Sequence, residues 1–110
     1  MCFVRVSLLV PNAMNVEETS RIQRELMAYF AALEGFVDGY YLEAADESGV
    51  MGRITVWERP ENADHAATDN HVMALRSSLL ELSDEQVVAQ GFHASRIAKA
   101  YDQGAGAAEA

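Results

Sequence analysis

Residues 3–10 read FVRVSLLV, and the alternation in this stretch determines which fold the sequence predicts. Its even-numbered positions are all Val or Leu, and they would share one face of an extended strand. The opposite face also carries large apolar groups, because Phe3 and Leu9 stand there beside Arg5 and Ser7. A strand that is apolar on both faces is typical of a sheet with helices on one side and a partner surface on the other.

A helix is predicted directly after this strand. Pro11 and Asn12 end the strand, and Asn15 can cap the helix that follows. Glu17 and Glu18 fall in the first helical turn, where the helix dipole favours anions. The predicted buried stripe has the three-and-four spacing of one helix face and consists of Ile22, Leu26, Tyr29, Phe30 and Leu33.

The rest of the chain completes an alternating pattern of strands and helices. Strands are predicted over residues 36–44, 52–58 and 87–97, with a turn at 46–49 and a loop at 83–85. A second helical region starts near Asn62 or Asp64, and residues 63–69 can form a separate short helix before the main one. The order βαββαβ predicts an α+β, ferredoxin-like fold: an antiparallel four-stranded sheet with two helices on one face.

Length and composition indicate one globular domain and argue against several classes of partner. We expect residues 1–101 to form the domain and 102–110 to be a flexible tail. With a net charge of −9 and scattered basic residues, no nucleic acid is expected, and no apolar run approaches the roughly 20 residues of a membrane helix. Cys2 is the only cysteine, which excludes an intrachain disulfide. The N-terminus is strand-like rather than a signal peptide, so the expected location is cytoplasmic.

The second apolar face of the sheet predicts a partner. Helices on one side would leave the other side bare, and an exposed apolar sheet face normally marks an interaction surface. A symmetric copy of the same chain is the simplest partner. We therefore expect a homodimer that packs sheet against sheet.

Two short stretches resemble a known family. LEGF at residues 33–36, followed by Gly39 and Tyr40, and ITVWE at 54–58 before a helix resemble the antibiotic biosynthesis monooxygenase-like proteins of the dimeric α+β barrel superfamily. The resemblance spans about residues 3–97 and implies cofactor-independent oxygenation of polycyclic phenol or anthrone-type substrates. It does not imply haem degradation, because the positions of the Trp and His used by haem-degrading relatives fall near Ala66 and Arg76, and Asn12 comes too late for the first-strand Asn.

The implied chemistry assigns candidate roles to several residues. Oxygenation without a cofactor needs an apolar pocket, a base that forms a substrate carbanion, and donors for the resulting oxyanion. His71, just ahead of the apolar stripe of the second helix, is the candidate base; the alternative is that it merely decorates the helix start. The candidate substrate-binding residues are Trp57, Tyr40, Tyr41, Arg53, Asn70 and His65.

Each of these residues also has a structural interpretation. The aromatic residues can be core or interface packing, and Arg53 can pair across strands with Glu43. Glu61, His65 and Asp69 are four apart and would form a metal-binding stripe on a continuous helix, although a solvated ionic face is the more ordinary outcome.

No metal or organic cofactor is expected, because the chain has neither a Gly-rich nucleotide loop nor a ligand set of recognised spacing. His93 is interpreted as a sheet or interface residue. The alternative function is a non-catalytic dimeric binding or assembly module of the same fold, and an isomerase or lyase is a weaker possibility.

Overall fold

The structure, a computed structural model, describes residues 1–100. The domain end predicted at residue 101 and the tail predicted for 102–110 lie outside these residues. None of the helices found in residues 1–100 is both long and apolar enough to cross a membrane. The elements in chain order are β1 (Cys2–Pro11), α1 (Val16–Phe30), β2 (Phe36–Glu43), β3 (Met51–Trp57), α2 (Pro60–Ala67), α3 (Asn70–Glu81) and β4 (Ser83–Ala94).

The four strands form one antiparallel sheet in the order β2-β3-β1-β4. β1 and β3 are therefore the central strands, in a register that sets Phe3 opposite Trp57 and Ser7 opposite Arg53. This topology confirms the predicted α+β, ferredoxin-like fold, with three helices instead of two.

The helices cover the face of the sheet that carries the odd-numbered residues of β1 and β3. Trp57 is 1% exposed, and the α1 and α3 residues Leu26 and Val72 are fully buried. Phe30 and Phe36 both pack edge-on against Trp57, with ring centroids 5.7 and 5.4 Å from the indole. Burying apolar side chains of this size stabilises the fold by roughly 1.5–3 kcal/mol each. The core thus lies between the helices and the central strands.

The second helical region is broken in two, as the predicted short helix before the main one implied, but α2 begins at Pro60, before the predicted start at Asn62 or Asp64. α2 ends at Ala67, Thr68 caps it, and the Asp69 carboxylate then accepts hydrogen bonds from the backbone N–H groups of His71 and Val72 to start α3. The predicted loop at 83–85 is already part of β4, because Ser83 pairs with the end of β1. β4 ends at Ala94, three residues before the predicted end.

The opposite face of the sheet has no cover from any element of residues 1–100. It carries Val4, Val6 and Leu8 of β1, all partly exposed, and on the edge strands Tyr40 and Phe92 are 54% and 43% exposed. We call this surface the open face. It is the apolar face that the alternation of residues 3–10 predicted.

Gly35, in the turn between α1 and β2, is required by both its backbone and its surroundings. Its φ is +84°, its carbonyl oxygen accepts a hydrogen bond from Glu58 N at 2.8 Å, and a Cβ added there would overlap the side chain of Asn62. Gly49 has a similar φ of +79°. A Cβ added there would have only the Val10 side chain nearby, at 4.0 Å.

We expect Gly35→Ala to cost at least twice as much stability as Gly49→Ala. The latter substitution incurs only the left-handed backbone strain, about 1 kcal/mol, whereas the former also displaces Asn62 and so disturbs the start of α2. Urea unfolding of both variants measures the difference. Equal losses would show that the contact with Asn62 contributes nothing.

Candidate functional site

A cavity of about 280 Å³ lies between α3 and the β1–β4 side of the sheet. Its walls are mostly apolar, with Leu9 and Ala89 from the strands and Met73 and Leu79 from α3. Arg53 of β3 reaches it from the centre of the sheet. We call this space the helix–sheet cavity; its volume is near the lower end of the ~300–1,000 Å³ range of small-molecule sites.

A smaller space of about 40 Å³ adjoins it deeper in the core. We call it the inner cavity. The two spaces share the lining residues Ser7, Arg53, Arg76 and Ala89, and the inner cavity extends to Trp57. A ligand in the helix–sheet cavity would therefore meet Arg53 at the boundary between the two spaces.

Arg53 is a buried cation, with only 7% of its surface exposed. Its Nη1 donates a 2.7 Å hydrogen bond to Oε1 of Gln23, and no carboxylate of residues 1–100 lies within ion-pair distance of it. Burial, and then the nearby charges of Arg76 and Arg5, lower the pKa of Arg53 to about 10. The guanidinium remains protonated at neutral pH, with a neutral amide as its partner.

The ion pair predicted between Arg53 and Glu43 does not form. In the sheet register Arg53 stands opposite Tyr41, and Glu43 stands two pairs further along, opposite Met51. Glu43 instead accepts a 3.2 Å hydrogen bond from the Tyr41 hydroxyl. The Arg53 side chain is thus available to the cavity.

Trp57 is the second predicted site residue that the structure brings to this region. Its Nε1 donates a 2.9 Å hydrogen bond to Oγ1 of Thr55, which fixes the ring orientation. The indole lines the inner cavity. Arg53 and Trp57 therefore lie on the same strand and on the face covered by the helices, with Thr55 between them.

The two tyrosines lie on opposite faces of β2, and neither lines either cavity. Tyr40 belongs to the open face. Tyr41 lies on the helix side, where its hydroxyl is 3.1 Å from Ser20 Oγ and the guanidinium of Arg24 lies 4.5 Å from its ring centroid. Alternation along the strand separates them, so they cannot form one binding surface within a protomer.

His71 lies on the protein surface. Its Nε2 is 3.7 Å from Oε2 of Glu25, its ring packs on Tyr29 at 4.7 Å, and its side chain is 47% exposed. His71 was predicted to face the substrate pocket, and its observed surface position differs from that prediction. In α3 the inward residue is Val72, and one step along a helix turns a side chain by about 100°. The role of His71 as base stays a prediction, without support from its position.

His65 and Asn70 also lie away from the two cavities. His65 lines a separate surface cleft of about 200 Å³ with Glu34 and Asp69, and Asn70 is exposed at the first residue of α3. The predicted stripe of Glu61, His65 and Asp69 does not exist as one helix face, because α2 ends before Asp69. Within residues 1–100 no group of three or more metal-ligating side chains is assembled.

Asp69 has a structural role between helices. Its Oδ2 accepts a 2.9 Å hydrogen bond from the Tyr29 hydroxyl, while its Oδ1 caps α3. The Tyr29 hydrogen bond, followed by the backbone donors of α3, lowers the pKa of Asp69. The carboxylate therefore contributes stability above its unfolded-state pKa, and that stability is lost as the pH falls through the lower folded-state value.

We expect Asp69→Asn to be less stable than the parent at pH 7, and the difference to shrink as the pH falls below 4. Asn keeps one oxygen that can cap α3, but it replaces the oxygen that accepts from the Tyr29 hydroxyl with an NH2 group, so the variant removes the charge and that acceptor together. Urea midpoints measured between pH 7 and pH 3 follow the effect. A difference that stays constant over this range would contradict it.

Among the charged residues that line the cavities, sequence reasoning missed two, Arg5 and Arg76. Arg5 lines the inner cavity and Arg76 lines both spaces. The alternation of residues 3–10 could have identified Arg5, because it shares a face with Ser7 and Leu9 and stands opposite Thr55. Arg76 falls one residue after Leu75 of the α3 stripe, and nothing in the sequence distinguishes it from a solvated helix residue.

Comparisons with known proteins identify the fold. No family profile matches the sequence, and no curated protein matches it. Among solved structures, a conserved protein of Methanosarcina mazei Go1 has a TM-score of 0.80 at 14% identity, covering 86% of this chain and 94% of its own. SnoaB, a cofactor-independent oxygenase of Streptomyces nogalater, has a TM-score of 0.72 at 21% identity, covering 86% and 93%.

A third similar structure comes from Caulobacter crescentus and is described as a candidate antibiotic biosynthesis monooxygenase. Its TM-score is 0.78 at 14% identity, with 86% of this chain and 91% of the other covered. The TM-scores establish a common fold, and identities this low leave the activity to be argued from the site. This chain therefore has the α+β fold of antibiotic biosynthesis monooxygenase-like proteins, which are its structural neighbours.

Proposed function

We propose that this protein binds a planar aromatic small molecule in the helix–sheet cavity and oxygenates it without a cofactor. The observation that carries the proposal is the cavity itself, an apolar space of about 280 Å³ with one buried guanidinium at its inner end. Apolar walls suit an aromatic ring, and a fixed guanidinium among a few polar lining groups suits orientation of its oxygen substituent. SnoaB, which has the same fold, is a cofactor-independent oxygenase.

The charge of the cavity favours the reactive form of such a substrate. A phenol or anthrone reacts with oxygen as its conjugate base, and an opposite charge within about 4–6 Å lowers the pKa of an acid. Arg53 at the cavity end would stabilise the phenolate or enolate as an oxyanion donor. No His or carboxylate of residues 1–100 lines the two cavities, so the proton would pass to water.

The reaction proposed for an anthrone balances without a further reductant. The methylene carbon loses two hydrogens and gains one oxygen atom of O₂ as a carbonyl. The second oxygen atom leaves as water with those two hydrogens. The substrate supplies all the electrons, so neither flavin nor metal is needed for the stoichiometry.

Oxygen uptake with a panel of polycyclic phenols and anthrones tests this function. We expect cofactor-free uptake of one O₂ per product with at least one substrate. Ala89→Phe, which fills the space shared by both cavities, should abolish it, whereas Ala74→Phe, on the exposed side of α3, should not. Absence of uptake across the panel, or full activity of Ala89→Phe, would contradict the proposal.

His71→Ala separates the two accounts of the base. If the substrate is activated by the cationic cavity, the variant should keep a rate within about twofold of the parent. Loss of a general base typically reduces the rate by ~10²–10⁴-fold. A loss of that size would restore His71 as the catalytic base despite its surface position.

A non-catalytic binding module of the same fold is the second candidate. The observation that favours it is the lack of an ionisable base among the cavity residues of the described chain. Tight binding of an aromatic ligand without oxygen uptake would support this alternative.

We also propose that the working form is a homodimer joined through the open face. Exposed Tyr40 and Phe92 on the edge strands flank the partly exposed valines of β1, and burial of such a surface is favourable. A second copy presents the same apolar surface and satisfies the symmetry of a two-fold interface.

A further inference from the structure

The charge distribution of the molecule is reversed inside the cavities. The chain carries 17 acidic residues against eight Lys and Arg, for a net charge of −9. Three of those eight basic residues, Arg5, Arg53 and Arg76, line the two cavities, and no acidic residue of the described chain does. A strongly acidic protein thus encloses a locally cationic space.

The three arginines are not neutralised by the rest of the described chain. Of the three arginines, only Arg5 forms an ion pair within the described residues, with Asp64 at 3.6 Å. The Asp64 side chain is 74% exposed, so solvent weakens this ion pair. Arg53 has the neutral Gln23 as its hydrogen-bond partner. At least two guanidinium groups therefore have no counter-ion in the described residues.

Burial makes this arrangement costly without an anion. Arg53 is 7% exposed, so its guanidinium loses hydration, and the like charges of Arg76 and Arg5 add to the cost. The lowered pKa of Arg53 reflects both effects. An anionic ligand would reverse both by forming charge-assisted hydrogen bonds to the guanidinium groups.

We infer that the ligand of the helix–sheet cavity is a hydroxyaryl carboxylate, held by Arg53 and Arg76 through its carboxylate. This inference rests on the proposed function and specifies its substrate class. A permanent carboxylate supplies the negative charge that these two guanidinium groups lack in the described residues, before any oxyanion forms on the substrate. The planar fork of arginine matches a carboxylate with two parallel hydrogen bonds, which a neutral amide cannot reproduce.

Calorimetric titration with 1-hydroxy-2-naphthoate and 1-hydroxy-2-naphthamide at pH 7 tests the inference. The two probes share ring, hydroxyl and shape, and differ in charge. We expect the carboxylate to bind at least 30-fold more tightly to the parent, with quenching of fluorescence from Trp57, the only tryptophan. Equal affinities would overturn the inference.

Variants identify the groups responsible. Arg53→Met should reduce the preference for the carboxylate to threefold or less, and Arg76→Met should reduce it several-fold. Arg24→Met, which removes the same charge beside Tyr41 and outside both cavities, should change it by less than twofold. Because Arg76 is exposed on α3, Arg76→Met should fold, and it provides the test if Arg53→Met does not fold.

Oxygen uptake measured on the same samples separates this inference from the proposed function. Selective carboxylate binding without uptake would support the inference and contradict the oxygenase activity. Oxygen uptake with neutral phenols, together with equal binding of the two probes, would support the oxygenase activity and contradict the inference. A preference that survives in both Arg53→Met and Arg76→Met would also overturn the inference.

Discussion

A variant that combines Arg53→Met with Gln23→Leu is expected to fold at least as stably as the parent and to lose selective binding of aromatic carboxylates. The two side chains form one buried polar unit: Arg53 is 7% exposed, Gln23 is 1% exposed, and a 2.7 Å hydrogen bond joins them. The Gln23 Nε2 has no hydrogen-bond partner in the described residues. Both residues are therefore stabilised poorly by their surroundings.

The pKa of Arg53 indicates the size of the expected gain. Its fall to about 10 means that the folded state disfavours the charged form. Each unit corresponds to about 1.4 kcal/mol, so the cost is roughly 3 kcal/mol. Because the folded pKa is the lower one, this cost is fully present below pH 10 and is relieved as the pH rises from 10 toward the higher unfolded-state pKa. The double variant removes it at pH 7.

Replacing a buried polar pair with apolar groups of similar size is often neutral or stabilising by about 1–4 kcal/mol. Arg53→Met alone should gain less, because it leaves the Gln23 amide buried with no partner for either end, at a cost of about 1–3 kcal/mol. Urea unfolding of the parent, both single variants and the double variant measures these terms. A double variant destabilised by more than about 2 kcal/mol would show that Arg53 supports the fold and is not held there for a ligand.

A charge placed on the open face is expected to convert the dimer into monomers. Val6→Asp lies at the centre of the sheet, between Ile54 and Gln90 of the neighbouring strands. In a two-fold interface each copy would bury one such carboxylate, without a partner and facing an apolar surface. Burying an unpaired charge costs several kcal/mol, so the dissociation constant should rise by about 10³-fold or more.

Two further variants make this result interpretable. Phe92→Asp tests the same face at a position that is already 43% exposed, where the monomer should tolerate a carboxylate. Met14→Asp adds the same charge at a residue that is 91% exposed and away from the sheet, and should leave the assembly unchanged. Sedimentation velocity reports the masses. A parent protein that is monomeric at micromolar concentration would contradict the dimer proposal, as would a dimer that is unaffected by both open-face charges.

Much of the fold could be predicted from the sequence because short-range patterns dominate it. The alternation around Val6 predicted β1 and its two apolar faces, and the spacing of Ile22 and Leu26 predicted α1, in which both are buried. Gly35 marked the turn before β2, where its positive φ is now observed. The start of β4 was missed, since Ser83 and Asp84 have loop chemistry and only pairing with β1 holds them in a strand.

The cavity could be predicted only in part, because it depends on contacts between distant residues. Strand alternation was sufficient to place Arg53 and Trp57 on one face. The surface position of His71 depends on the helix break at Thr68, where Asp69 starts α3 in a phase that turns Val72 inward. The contribution of Arg76 depends on how α3 packs over the sheet, which no local pattern records.

A crystal structure of the protein with 1-hydroxy-2-naphthoate bound tests the central claim most directly. We expect the naphthalene ring in the helix–sheet cavity beneath α3, with a carboxylate oxygen at roughly 2.7–2.9 Å from a guanidinium nitrogen of Arg53. A ligand seated on the open face or at the surface near His71, with the helix–sheet cavity empty, would contradict it.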